Sequence, residues 1–175
     1  MDWIRRIGFL GVMVFGVQAF GGDDPKGPSP DVPEAAQLKV YVGKFKLEVT
    51  EPIKASGEVE GKWALDGRYV QQTFTLKDDK GHLAITGTNI FTFDKKKNMY
   101  RSWRFFSNGD TADFTGIWDA QKQSMTWTEP NPDNKGMLRM VGTFDKSGAQ
   151  VWVITMEDSS GKVETEIRGS HTPIK

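Results

Sequence analysis

The chain has 175 residues, enough for one domain and a short appendage, and its 23 basic and 23 acidic side chains balance. A neutral chain without a long block of one charge creates no field that attracts a polyanion, which excludes nucleic acid as an expected partner. The chain has no cysteine, which excludes thiol catalysis, thiolate-ligated zinc or haem, and a lipid-modified cysteine.

The N-terminal residues have the pattern of a secretory signal peptide. Arg5 and Arg6 precede the apolar segment 7–17, and residues 17–19 offer a small-x-small cleavage site. The apolar segment is shorter than the roughly 20 residues that span a bilayer. We therefore expect residues 1–19 to be removed, the protein to be exported to the periplasm or the exterior, and the mature form to have no transmembrane span. An uncleaved membrane anchor is the alternative.

A proline- and glycine-rich segment follows the apolar stretch. Its prolines prevent a helix or a central strand, so residues 20–33 are predicted to be a disordered linker. Residues 31–37 alone favour a short helix, with Asp31 as its possible N-cap. The sequence thus predicts a single mature domain over residues 34–175. The four prolines of the linker are Pro25, Pro28, Pro30 and Pro33.

From about residue 38 onward, apolar and polar residues alternate with the period of a half-buried β-strand. In the second such stretch, Val59, Trp63 and Leu65 share one face, while Glu58 and Glu60 share the other. We predict ten strands, at residues 44–49, 58–65, 70–76, 83–93, 99–107, 111–118, 124–128, 137–144, 151–156 and 162–170.

Short turn signals separate the predicted strands. The recurring pattern Asp-x-x-Gly, as in residues 78–81, 145–148 and 158–161, suits a type I turn with Gly in the left-handed position. Ten strands joined by tight turns form a meander, and closing such a twisted sheet removes both exposed edges. The sequence therefore predicts an all-β fold, an up-and-down antiparallel barrel of about ten strands with one short N-terminal helix. A two-sheet sandwich is the alternative.

Several motifs, taken in order, resemble those of the bacterial domain-of-unknown-function family 1579, whose members look like lipocalin-like (calycin-type) barrels. The resemblance covers residues 38 to about 170, and it implies that Arg168 of the last strand closes the barrel over the ring of Phe45 on the first. It departs from the pattern at Phe45, where such barrels usually carry Trp. The family's function is not established. The motifs are residues 38–45, Leu65-Asp66-Gly67-Arg68-Tyr69, Phe93-Asp94 with Tyr100 and Trp103, Thr115-Gly116-Ile117-Trp118-Asp119, and Arg168.

A search for catalytic residues finds no constellation. The two histidines, His82 and His171, are far apart in the chain, and no Gly-x-Ser-x-Gly motif is present. Asp110 and Asp113 are three residues apart on one predicted strand, so they should face opposite sides of the sheet rather than act as a pair. Phosphate-cradling loops and EF-hand spacings are also missing. We predict that the protein is not an enzyme and has no metal site and no cofactor.

His171 is the one residue that suggests haem. Its parity along the last strand matches Val163 and Ile167, so it is expected to point toward the apolar face. A histidine there resembles the arrangement of haem-binding nitrobindin-like barrels, which also have ten strands, although their glycine-rich motif is missing here. The alternative is a terminal or partly buried histidine without a ligand. His82 follows a turn glycine and is expected to be solvated.

Large aromatic residues occur on most predicted strands, and they either fill the core or line a lumen. Parity puts Tyr100 and Trp103 on opposite faces, and we predict that Trp103 is luminal because Met99 and Phe105 share its parity. The candidate ligand-binding residues are Trp63, Phe91, Phe93, Trp103, Trp118 and Trp127.

From these patterns we expect an exported barrel that binds a small, largely apolar molecule in its lumen. One alternative is a non-catalytic interaction or structural module with a filled barrel. The other is a haem-binding barrel that uses His171.

Overall fold

The structure, a computed structural model, describes residues 27–130 and 136–175, so the predicted signal peptide and the first half of the predicted linker, residues 20–26, lie outside the described residues. Ten antiparallel strands form a closed barrel in which each strand pairs with its neighbours in sequence and β1 pairs with β10. This confirms the up-and-down barrel and excludes the two-sheet sandwich. The strands are β1 Gly43–Glu51, β2 Ala55–Ala64, β3 Tyr69–Asp78, β4 Leu83–Asp94, β5 Met99–Phe106, β6 Thr111–Asp119, β7 Ser124–Pro130, β8 Met137–Phe144, β9 Gln150–Glu157 and β10 Val163–Pro173.

The Asp-x-x-Gly turns form as the sequence predicts. Asp78 Oδ1 accepts hydrogen bonds from the backbone N–H groups of Lys80 and His82, at 2.9 and 2.8 Å. Gly81 has φ of 84°, the left-handed conformation that glycine adopts without a steric cost. The same turn recurs at Asp145 with Gly148 and at Asp158 with Gly161. These local hydrogen bonds set the hairpin register.

The two ends of the barrel differ. One end, here called the mouth, carries the loops β1–β2, β3–β4, β5–β6 and β9–β10. The opposite end is closed by a 3-10 helix, Pro33–Tyr41, here called the plug helix, which contacts β3 and β4. The short N-terminal helix is thus confirmed, but it runs on to Tyr41.

Hydrogen bonds and aromatic stacking hold the plug helix in place. The Tyr41 ring stacks on Phe91 with 4.4 Å between centroids, and its hydroxyl accepts a hydrogen bond from Trp127 Nε1 at 3.0 Å. Tyr100 donates its hydroxyl proton to the backbone oxygen of Glu34 at 2.9 Å. These buried polar contacts satisfy groups that the apolar core would otherwise leave unpaired.

The residues just before the plug helix also pack on the barrel. The Ser29 N–H donates to the Gly67 carbonyl at 3.0 Å, and Val32 is 4% exposed. The predicted disordered linker is therefore wrong for residues 29–33. Asp31 is not the N-cap either: Val32 holds that position without a side-chain bond, and Asp31 pairs with Arg68 at 2.8 Å.

Small residues inside the barrel make room for large ones on the next strand. Gly116 lies opposite Trp127, and a Cβ atom at Gly116 would lie 2.4 Å from the indole ring. Gly169 accommodates Trp152 in the same way, at 2.2 Å. Each tryptophan therefore lies flat across a neighbouring strand, which increases the apolar area it buries.

The implied closure by Arg168 is wrong. Phe45 pairs with Pro173 near the closed end, whereas Arg168 pairs with Glu51 at the mouth. Arg168 faces solvent and forms ion pairs with Glu51 and Glu166. His171 is the residue whose ring lies near Phe45, with 6.2 Å between centroids. The barrel closes through backbone pairing of β1 with β10, and the family resemblance loses this feature.

Candidate functional site

The half of the barrel next to the plug helix is tightly packed. Trp127 and Met125 are 0% exposed, Phe91 is 1% exposed and Phe114 is 2% exposed. Together with Tyr41 of the plug helix they form an aromatic layer, here called the floor. Nothing larger than a side chain fits below this layer, so a binding site inside the barrel has to lie between the floor and the mouth.

A second core cluster lies on the β1, β2 and β9 side of the barrel, and it consists of Phe45, Leu47, Val49, Ala55, Val59 and Trp152. Other inward-facing side chains, several of which pack against this cluster, keep partial accessibility to water. They are therefore less completely buried than the side chains of the floor. The inward-facing residues that keep this accessibility are Phe74, Leu76, Ile85, Asn89, Arg104, Phe106, Leu138, Ile154, Ile167 and His171.

Apolar side chains also surround the mouth. They are exposed on four different strands or loops, so they form a rim rather than one patch. The rim consists of Ile53 (64% exposed), Leu83 (64%), Met156 (45%) and Val163 (47%).

Five of the six candidate residues from the sequence point into the barrel, but they belong to the packed half. Trp63 and Phe91 are buried in the core around the plug helix, as is Trp127. Trp118 packs on Phe144 with 5.9 Å between ring centroids, and Phe93 packs on Tyr100 at 5.0 Å. These residues build the floor and its surroundings rather than the lining above it.

The sixth candidate, Trp103, is not luminal, so that prediction is wrong. Tyr100 is the inward residue, because it pairs with the inward Phe93 on one side and with Gly116 on the other. Trp103 therefore faces outward, where the Arg101 guanidinium lies 5.1 Å from its ring centroid. Arg101 in turn forms a bidentate ion pair with Asp113, at 2.8 and 2.7 Å. The outer face of β5 carries apolar side chains that the Arg101 guanidinium covers. For this reason, the alternation of apolar residues alone assigned the wrong face of β5 to the lumen.

Arg104 is a candidate site residue that the sequence did not indicate. It follows Tyr100 and Ser102 on the inward face of β5, and its guanidinium lies 4.6 Å from the centroid of Phe114 in the floor. Its Nη2 contacts Met140 Sδ on β8 at 3.2 Å, while its Nε is buried and has no partner among the described residues. Burial lowers the pKa of Arg104 to about 10, which leaves it a cation at neutral pH.

Other polar atoms in the lumen also lack partners within the described residues. Asn89 lies opposite Arg104 on β4, and its buried Oδ1 makes no hydrogen bond. The same holds for Ser102 Oγ and for Trp152 Nε1. Native proteins rarely leave buried polar atoms unpaired, and functional sites are where such exceptions concentrate. The lumen thus combines an apolar lining with a few unsatisfied polar groups.

His171 points inward from β10, as its parity predicts. Its Nδ1 donates to Gln150 Oε1 at 2.7 Å, because an amide oxygen only accepts, and this leaves Nε2 as the unprotonated nitrogen. Burial, together with the nearby positive charge of Arg104, lowers the pKa of His171 to about 4, so the ring is neutral at pH 7. His82, in contrast, is exposed in its turn beside Asp78, as expected.

Two further depressions lie on the outer surface rather than in the lumen. They have volumes of about 210 and 380 Å³ and lie over β2 and β3. Their walls are mostly outward-facing polar residues such as Glu60 and Thr73. In residues 27–130 and 136–175, no three His, Asp or Glu side chains cluster as a metal site would require. No helix in the same ranges is both long and apolar enough to span a membrane.

Comparison with known proteins supports the fold. No protein-family model matches the chain, and no curated protein matches it. Among solved structures, the chain is similar to the crystal structure of Rv2717c from M. tuberculosis, with a TM-score of 0.60 and 12% identity. The match covers 83% of this chain and 100% of the other. At this identity the similarity shows the barrel fold alone.

Proposed function

We propose that the protein is a non-enzymatic barrel that binds a small, largely apolar molecule in the mouth half of its lumen. The observation that carries this proposal is the contrast in burial between the floor and other inward-facing side chains. The side chains of the floor are almost fully buried, while inward residues such as Phe74 and Ile154 remain partly accessible to water. Apolar walls with a few unpaired polar groups are the usual composition of a ligand pocket.

The competing proposal of a filled interaction module explains this contrast less well. A structural barrel gains stability from filling its interior, and it gains nothing from unpaired polar atoms inside. Asn89 Oδ1 and Arg104 Nε are two such atoms, and they face each other across β4 and β5. A polar group of a bound molecule can pair with both atoms, which favours a binding role over a purely structural one.

A lumen-blocking substitution tests the proposal. Dodecanol is an uncharged apolar probe, and isothermal titration calorimetry measures its binding directly. Ile154→Trp places a large ring in the lumen, whereas Val151→Trp, on the same strand, places it on the outer face, where Val151 is 64% exposed. We expect the first variant to abolish binding and the second to bind like the wild type. Equal binding by both variants would exclude the lumen as the site.

Haem binding is the second candidate, because the Nδ1 hydrogen bond leaves His171 Nε2 available as a ligand atom. Titration with hemin tests it: a shifted Soret band that His171→Ala removes would favour haem over an apolar ligand. A Soret spectrum unchanged by the substitution would exclude ligation through His171.

Export and family membership are also part of the proposal. We propose that the mature form begins after Ala19, since residues 1–19 resemble a signal peptide. Mass spectrometry of the exported form should give the mass of residues 20–175. A mass that includes Met1 would instead favour the anchored alternative. Membership of family 1579 is proposed on the order of the remaining motifs, although Arg168 does not occupy the place which that resemblance implies.

A further inference from the structure

We infer that Arg104 binds the anionic head group of the ligand, so that the ligand is an amphipathic monoanion with an apolar body, such as a long-chain carboxylate. This inference rests on the proposed function, because it names the chemistry of a molecule bound in the same lumen. It adds a binding residue, a ligand class and an orientation.

Arg104 forms no ion pair with the described residues, and its Nε has no hydrogen-bond partner among them. Glu129 on β7 is an inward carboxylate whose negative charge raises the pKa of Arg104 without an ion pair between the two. Its Oε1 accepts a hydrogen bond from the Asp113 N–H at 2.9 Å. A buried charge is tolerated when a partner neutralises it, and an unpaired one is costly. A ligand anion supplies the missing partner.

The position of Arg104 determines which end of the ligand lies deeper in the lumen. Its guanidinium lies directly above the floor, between the ring of Phe114 and Met140 Sδ. Asn89 lies beside it on β4, with an unpaired side chain that can also contact a polar head group. A head group at Arg104 is therefore held next to the floor.

The walls between Arg104 and the mouth are apolar. Phe106 lies two residues nearer the mouth on the same face of β5, and its ring contacts Phe74 with 6.0 Å between centroids. Ile154 and Ile167 pair with each other on β9 and β10. An apolar chain extending upward from Arg104 is thus surrounded by hydrophobic side chains until it reaches the apolar rim.

The number of charges in the lumen limits the charge of the ligand. Arg104 is the only Lys or Arg at an inward-facing position of the strands within the described residues. One guanidinium pairs well with one carboxylate, since its donors match the two oxygens. A polyanion would leave charge unpaired in an apolar space. The geometry therefore favours a single anionic group.

Three probes of equal chain length test the inference: dodecanoate, dodecanol and dodecylammonium. In the wild type, calorimetry at pH 7.5 should show dodecanoate binding at least 10-fold tighter than dodecanol, and dodecylammonium binding weakest. Arg104→Met keeps the length of the side chain but removes its charge, and it should weaken dodecanoate binding 10-fold or more while changing dodecanol binding less than 3-fold. Arg101→Met is the matched control, because Arg101 faces outward on the same strand.

The outcomes separate the two proposals. If both uncharged and anionic probes bind, but Arg104→Met weakens them equally, the inference is overturned and lumen binding stands. If neither probe binds the wild type, the proposed function itself is overturned. The comparison of the three probes in the wild type requires no variant, so it decides the charge preference even if Arg104→Met fails to fold.

Discussion

The burial of neutral His171 makes the stability of the protein sensitive to mild acid. The ring lies between Phe45 and Trp152, with centroid distances of 6.2 Å to each, and the positive charge of Arg104 acts on it across the lumen. Protonation would add a second positive charge to an apolar enclosure that already holds an unpaired one. The folded chain should therefore resist protonation of His171 more strongly than the unfolded chain does.

The magnitude follows from the two pKa values. The pKa of His171 is about 4 in the folded protein, against 6.5 for an unperturbed histidine. Between these values the unfolded chain binds more protons, so the free energy of unfolding falls as the pH falls. At pH 5 the loss relative to pH 7.5 is at most about 2 kcal/mol, and partial access of the ring to water lowers the expectation to about 1–2 kcal/mol.

Urea unfolding of the wild type and of His171→Gln at pH 7.5, 6 and 5 measures this loss. Both proteins contain the same carboxylates, so the difference between their pH profiles isolates the histidine. The wild type should lose about 1–2 kcal/mol more than His171→Gln between pH 7.5 and pH 5. His82→Gln controls for the removal of a histidine, because that side chain is 76% exposed. Parallel profiles for the wild type and His171→Gln would refute the argument that His171 is held neutral in the lumen.

Three further substitutions test the packing. Arg104→Met should raise the free energy of unfolding of the ligand-free protein by about 1–3 kcal/mol, because it removes a buried charge that forms no ion pair. Urea unfolding measures this change, and a destabilised variant would contradict the interpretation of Arg104 as a buried charge without an ion pair. Gly116→Ala should lower the free energy of unfolding by about 1–3 kcal/mol, since the new Cβ would lie 2.4 Å from the Trp127 ring, and an unchanged midpoint would mean that this ring moves freely. Tyr41→Phe should cost about 1–3 kcal/mol in the same assay, because it leaves the Trp127 indole N–H without its acceptor; no loss would mean that this bond does not hold the plug helix.

The barrel could be predicted because its determinants are local. Alternation along each strand and Asp-x-x-Gly turns specify both the strands and their connections, and the bounds predicted for β8, residues 137–144, agree with the structure. Ends of elements were less predictable. Leu65 continues the apolar alternation of β2, yet it lies in the following turn with φ of 48° and 71% of its surface exposed. The turn at Asp66-Gly67 overrides the alternation there.

The site was harder to predict because it reverses the usual rule for burial. A strand that carries Met99, Trp103 and Phe105 on one face and Arg104 on the other normally buries the first face. Here Arg104 faces inward, since the pairing of β5 with β4 and β6 sets the inward side. One sequence signal was available: Tyr100 and Phe106 share the parity of Arg104, so both faces of β5 contain large apolar residues. Only the pairing of β5 with its neighbouring strands shows which of the two faces points into the barrel.

The indole N–H resonances of three tryptophans, Trp152, Trp127 and Trp103, offer the most direct test of lumen binding. Trp152 points inward with an unpaired Nε1, whereas Trp127 lies in the packed floor with its Nε1 bonded to Tyr41. In a ¹H–¹⁵N NMR titration with dodecanoate, the Trp152 indole signal should shift to saturation while that of the outward-facing Trp103 stays in place. A shift confined to Trp103, or a Trp152 signal that does not move while calorimetry registers binding, would place the ligand outside the lumen and contradict the account.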